Sequence, residues 1–183
     1  MFSRATTRIV PYLVEGSRAA GIMATGDILA QTVVEKKDFK DIDYARTIKY
    51  SSLGFLFVGP VLKYWFGLLD RSIALKQNRL QRTVKKMVVD QSIMAPALNL
   101  SITALVGLIN DESSETIKER IKVQYPDIMK NNYMLWPAVQ MVNFSIVPLK
   151  YQVTFVQIVA VAWNCFVSQR LNDKNAVSQM VTE

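Results

Sequence analysis

The chain has 183 residues, half of them hydrophobic and only a fifth charged, with no histidine, one cysteine and a net charge of +7. Without histidine, the usual His/Cys zinc sites and the Ser-His-Asp or Cys-His catalytic sets lack their parts, and Cys165 alone supports neither iron–sulfur ligation nor a disulfide scaffold. The acids show no EF-hand or paired-carboxylate spacing and no GxGxxG or GxxxxGK loop occurs, so the reading is a non-enzyme with no cofactor and no metal.

A bilayer core of about 30 Å takes roughly 20 helical residues to cross, and four stretches approach or reach that length. The opening MFSRATTRIV carries Arg4 and Arg8 with no acid before Glu15, mildly resembling the acid-poor character of a mitochondrial targeting segment. Residues 18–34 form the weakest candidate span, short and interrupted by Asp27 and Gln31. FKDIDYARTIKY then reads as a capped entry to the next helix, with Asp43 as cap and Arg46 and Lys49 near phosphate headgroups. The second span, 47–69, contains Pro60, which removes a donor and crowds the preceding turn, while the small residues of SSLGFLFVGP admit a close neighbour.

Six cations (Arg71, Lys76, Arg79, Arg82, Lys85 and Lys86) follow Asp70 without an acid before Asp90, a basic loop beside a membrane. They are not interleaved with aromatics, so no direct nucleic-acid binding is expected. The third span, 87–109, holds Pro96. SSETIKERIKVQ at 113–124 reads as a short amphipathic helix capped by Ser113 or Ser114, with Ile117, Ile121 and Val123 toward lipid or protein.

The apolar region 133–168 has 36 residues, about 54 Å as one helix and too long for one span. Pro148 and Lys150 divide it, leaving YMLWPAVQMVNFSIVP as a shorter helix at the membrane boundary or beside the final span. The fold class is therefore all-α: an integral membrane helical bundle in one domain, 1–183. It has about four transmembrane helices, near 18–34, 47–69, 87–109 and within 133–168, plus a short boundary helix and an amphipathic loop helix. Counting cations puts the N-terminal tail, the basic 70–86 loop and the C-terminal tail on one side, with loops 35–46 and 110–132 on the other.

Polar residues at membrane depth are the candidate pore-lining or helix-packing groups. Asp27 and Gln31, four apart, share a face near the midplane of the 18–34 span, and exposing a charge to lipid there costs at least about 2.5–3.5 kcal/mol. That face lines water or meets another helix. Lys63 and Asp90 lie toward the same side of the bilayer, where Lys63 either meets an acid, Asp90 or Asp27, or snorkels to the interface. Gln157, Asn164 and Ser168 fall on one face of the last span, and Gln140 and Asn143 join the set from the boundary helix. Pro60, Pro96 and Pro148 are candidate kinks, and Cys165 reads as a packing residue.

The order GDILAQ at 26–31, Arg46, Gly54, Gly59-Pro60, Trp65, LLD at 68–70, Asp90-Gln91, Pro96, WPAVQMVNF at 136–144, Val147-Pro148, Trp163-Asn164 and Ser168 covers nearly the whole chain. In this it resembles the 22 kDa peroxisomal membrane protein family, which also has mitochondrial inner-membrane members. The resemblance implies a small four-span membrane protein, with members implicated in channels for small solutes and in mitochondrial metabolite or nucleotide-precursor homeostasis. Lys63 and Phe66 stand where that pattern has histidine and tyrosine, Tyr133 where it has tryptophan, and Gln152 where arginine is common.

The function expected is a weakly selective channel for small hydrophilic metabolites, with a structural or scaffold protein as the alternative. Expected partners are membrane lipids and small hydrophilic solutes, and a homo-oligomer is left open. The expected location is the mitochondrial inner membrane, with the basic loop facing the matrix; the alternative is the peroxisomal membrane, although QMVTE lacks an SKL-like address.

Overall fold

A computed structural model describes residues 2–73 and 78–172. Within them the protein is an all-α bundle of five long helices. Helix α1 (Phe2–Leu29) runs on through a π turn (Ala30–Val34). It is followed by α2 (Tyr44–Ser72), α3 (Arg79–Ile109), α4 (Ser114–Ile146) and α5 (Leu149–Asn172). Three starts are capped by side chains that accept an orphan amide: Asp43 from Arg46 (2.9 Å), Asn78 from Leu80 (2.9 Å) and Ser113 from Thr116 (3.2 Å).

The prolines of α2 and α3 each follow a widened turn. A proline ring has no N–H and crowds the carbonyl four residues back. Here the preceding residue bonds five back instead, Gly59 to the Gly54 carbonyl and Ala95 to the Asp90 carbonyl, giving the π turns Gly54–Val58 and Asp90–Met94. Pro148 lies in the break between α4 and α5.

Two expectations are corrected here. The 113–124 helix and the helix before Pro148 are not separate: both belong to α4, a 33-residue helix that runs through Pro126 and Pro137. Burial of Gln124, Ile128, Met129 and Asn132 against the bundle holds the helix across the polar stretch that separates them in sequence. The region 133–168 thus contains the end of one leg and most of the next.

The second correction concerns direction. Helices α1 and α5 run parallel: Leu149 borders the same groove as Pro11, Arg18 donates to Thr154 (3.0 Å), and Val167 packs with Met23. The end of α5 therefore stands with loops 35–43 and 110–113, which Lys49 and Asn110 bring together at 3.3 Å. It does not stand with the start of α1 and the basic loop.

The α1–α2 crossing depends on missing side chains. A Cβ on Gly59 would meet the Glu15 carbonyl oxygen at 2.5 Å, and one on Gly54 would meet that of Ala19 at 2.7 Å. Apolar clusters hold the two ends of the bundle: Met23, Tyr50, Leu53, Val106, Ile128 and Val167 at one, Phe66, Leu69, Val153 and Val156 at the other.

Polarity is distributed as a bilayer requires. Among the described residues, 17 polar or charged residues are buried against 16 apolar ones, while Leu56 and Ile158 are 74% and 66% exposed. Water would penalise that arrangement; lipid, which solvates apolar chains but not polar ones, favours it. By length and composition, α2 and α3 are each able to cross a membrane.

Candidate functional site

Asp27 and Gln31 close the joint between α1 and α2. Both are fully buried. Arg46 Nε meets Asp27 Oδ1 at 2.7 Å, and Asp27 Oδ2 accepts from the Thr47 hydroxyl (2.8 Å) and from Gln31 Nε2 (2.9 Å). Gln31 Oε1 accepts the Asp43 amide at 2.7 Å, so one side chain reads both the acid and the start of α2. Arg46 Nη2 also meets Glu35 at 2.8 Å. Burial opposes the Glu35 charge, but the hydrogen bonds and charges of Arg46 and Lys37 outweigh it and hold the carboxyl below its ordinary value.

A second polar centre lies inside the bundle. Asp90, on the π turn of α3, is 3% exposed. Its Oδ1 accepts from Trp65 Nε1 (2.8 Å), and its Oδ2 from Gln91 Nε2 (2.8 Å) and Gln140 Nε2 (3.0 Å). The amides continue on both sides. Asn143 donates to Gln140 Oε1 (2.9 Å), Asn132 to Gln91 Oε1 (3.0 Å), and Asn99 to Asn132 Oδ1 (3.3 Å). Pro96 has no N–H to give the Gln91 carbonyl five residues back, and the Tyr133 hydroxyl donates to that oxygen instead (3.2 Å). Three neutral donors hold Asp90, and no cation lies within ion-pair distance of it among the described residues.

These groups surround a central cavity of about 90 Å³, reached by all five helices. Ala19 and Met23 contribute from α1, Leu62 and Phe66 from α2, Asp90, Gln91 and Asn99 from α3, Asn132, Trp136 and Gln140 from α4, and Gln157 and Trp163 from α5. Asp90 is the one ionisable side chain on the described wall. Trp136 Nε1 and Gln157 Oε1 are buried there without a protein partner. The wall is mostly apolar, with its polar groups gathered around Asp90; a cavity of this size has room for several waters, each of which needs such partners. No group of three or more His, Cys, Asp or Glu among the described residues is placed to hold a metal ion.

The profile of the Mpv17 / PMP22 family matches residues 107–168. Over 165 residues the chain is 40% identical to the mitochondrial inner membrane protein Mpv17 of Drosophila melanogaster, covering 90% of this chain and 98% of that one. It is 41% identical to the Rattus norvegicus Mpv17 over 160 residues (86% and 89%), and 34% identical to Protein SYM1 of Gibberella zeae over 158 residues (86% and 89%). The chain belongs to the Mpv17 / PMP22 family. No solved structure matches it. With its kin among the Mpv17 proteins it is a multi-pass protein of the mitochondrial inner membrane rather than the peroxisomal one.

In this family member the candidate residues separate into different places. Asp90, Gln140 and Gln157 line the central cavity, and Asn143 adjoins it through Gln140. Asp27 and Gln31 do not reach the cavity; they stand at the α1–α2 joint, and the partner of Asp27 is Arg46 rather than Lys63. Lys63 meets neither Asp27 nor Asp90: its Nζ lies 3.8 Å from Glu15, which also holds Arg18 at 3.2 Å. The side chains of Asn164 and Ser168 lie outside the described residues. Gln152 is buried and donates to the Val147 carbonyl (3.1 Å), tying α5 to the end of α4. Sequence reasoning missed Arg46 as the counter-ion, and Gln91, Asn99, Asn132 and Trp136 as cavity residues. The one available signal was two amides, Gln91 and Asn99, eight apart in an apolar run and therefore near one helical face.

Proposed function

We propose that the protein is a weakly selective channel for small hydrophilic solutes, conducted through the bundle interior, with Asp90 as the fixed charge on its wall. The observation that carries this reading is the central cavity, where α3, α4 and α5 present amides around a carboxylate with no counter-ion among the described residues, and α1 and α2 close the wall with apolar side chains. A bilayer does not drive helices together by the hydrophobic effect, and an ionisable group kept at this depth costs free energy. Wetting the cavity offsets that cost, since the Trp136 and Gln157 groups then gain partners.

Conduction on this reading is passive. A solute sheds part of its hydration and exchanges hydrogen bonds with the amides of Gln91, Asn99 and Asn132, which offer both donors and acceptors. Asp90 favours cations over anions. A cavity of about 90 Å³ admits water but not a metabolite, so passage needs a wider state. The π turn Asp90–Met94 carries both Asp90 and Gln91, and shifting its register rotates both side chains, which gives a gate in the path. In the inner membrane such a path serves metabolite or nucleotide-precursor balance.

The test is purified protein in liposomes with solutes of graded size. Permeability that falls with solute size is expected. Its absence at every size and voltage, with insertion confirmed, overturns the channel in favour of a scaffold, the reading favoured by the Asp27–Gln31–Arg46 joint, where the polar groups answer one another within the chain.

A further inference from the structure

Beside the central cavity lies a second concavity of about 700 Å³, a lateral groove between the start of α1, the second half of α2 and the start of α5. Its chemistry differs from that of the cavity. Lys63, Gly67 and Arg71 line it from α2, spaced i, i+4 and i+8 and therefore on one stripe, with about 12 Å between the outer two. Tyr12 and Tyr64 add phenol groups, and Leu149 closes the side toward α5.

Arg71 is exposed and makes no ion pair among the described residues. The acid beside it, Asp70, is already held by Arg82 (2.6 Å) and Lys86 (2.7 Å). Lys63 reaches Glu15 only at 3.8 Å, and Glu15 has Arg18 closer. Gly67 forms the floor, and a Cβ there would meet nothing within 4 Å. The groove thus has cations and phenols along an apolar floor, at the bundle end that carries Arg79, Lys85 and Lys150.

We propose that this groove holds an anionic phospholipid, its phosphate on Arg71 with Lys63 reaching toward the headgroup, and an acyl chain along Gly67 and Leu149. Charge complementarity selects this occupant. A zwitterionic lipid brings its own cation to Arg71, and a free phosphate makes no use of the apolar floor.

The test uses delipidated full-length protein in detergent, titrated with cardiolipin, with phosphatidylcholine and with inorganic phosphate, binding being read as thermal stabilisation and by native mass spectrometry. Cardiolipin is expected to bind and stabilise, and the other two are not. Arg71→Gln weakens cardiolipin about fivefold, the effect of one interfacial cation. Gly67→Leu fills the floor and weakens it at least as much, while the lipid-free melting temperature of both variants stays at the wild-type value because neither site is packed. Lys122→Gln, an exposed cation on α4, leaves binding unchanged. Equal cardiolipin binding by wild type, Arg71→Gln and Gly67→Leu overturns the proposal. So does a loss in Lys122→Gln as large as that in Arg71→Gln, which marks diffuse surface attraction, or equal stabilisation by phosphate alone.

Discussion

Arg46→Gln removes the cation from a fully buried carboxylate and leaves Asp27 to neutral donors such as Thr47 and Gln31. Breaking a buried pair in this way costs about 3–5 kcal/mol. Asp27→Asn costs less, about 1.5–3 kcal/mol, because the charge goes with the side chain and Arg46 keeps Glu35 at 2.8 Å. The double variant leaves no buried carboxylate without its cation, so it should be about as stable as Asp27→Asn alone, a coupling of about 3–5 kcal/mol, the full cost of Arg46→Gln. For a chain of this length each kcal/mol moves the melting temperature by about 2–4 °C. Purified protein in one detergent should therefore melt about 6–20 °C lower in Arg46→Gln than in wild type, with part of that recovered in the double variant. Asp27→Asn with Lys63→Gln should be additive, since Lys63 sits on Glu15. Additivity of Asp27 with Arg46 to within about 0.5 kcal/mol, or rescue by Lys63→Gln instead, would refute the assignment.

Gly59→Ala sets a methyl 2.5 Å from the Glu15 carbonyl oxygen and should cost about 1–3 kcal/mol as α1 and α2 separate, whereas Gly67→Ala, with open space around it, should not destabilise; thermal melts compare the two directly. Because Glu35 is held below its ordinary 4.5, its contribution is present above that pH and lost as pH falls through the lower folded value. A melting curve against pH should show that acid loss in wild type and a smaller one in Glu35→Gln. Trp65→Phe withdraws one of the three donors to Asp90 and should lower stability by about 1.5–3 kcal/mol, more than Trp65→Phe costs when Asp90 is already asparagine. Cysteines placed at 38, 111 and 172 should label from one side of sealed vesicles and those at 78 and 148 from the other; reaction of 172 together with 78 would contradict the direction assigned to α5.

Much of the helical content was legible because apolar runs of spanning length, interrupted by prolines, leave few other solutions in lipid. What pairs with what was not. Asp27 and Arg46 are separated by a turn, and cation counting treats Arg46 as a headgroup contact when it in fact reaches back to the end of α1. The polar stretch of α4 from Gln124 to Asn132 looked like a loop because two of its four buried residues, Gln124 and Asn132, are amides and only Ile128 and Met129 are apolar, and missing that leg reversed the expected end of α5. The π turns ahead of Pro60 and Pro96 carry no composition signal of their own. Asp90, Gln140 and Gln157 were identified as polar residues at depth, but only the packing of five helices brings them to one cavity and leaves Asp27 and Gln31 outside it.

The most direct measurement is the reversal potential of the reconstituted protein under a salt gradient, compared between wild type and Asp90→Asn. The account predicts a cation preference in wild type that falls toward unity in Asp90→Asn, with folding retained because asparagine keeps an oxygen for Trp65. An unchanged reversal potential in Asp90→Asn, with conductance intact, would contradict a path along this carboxylate.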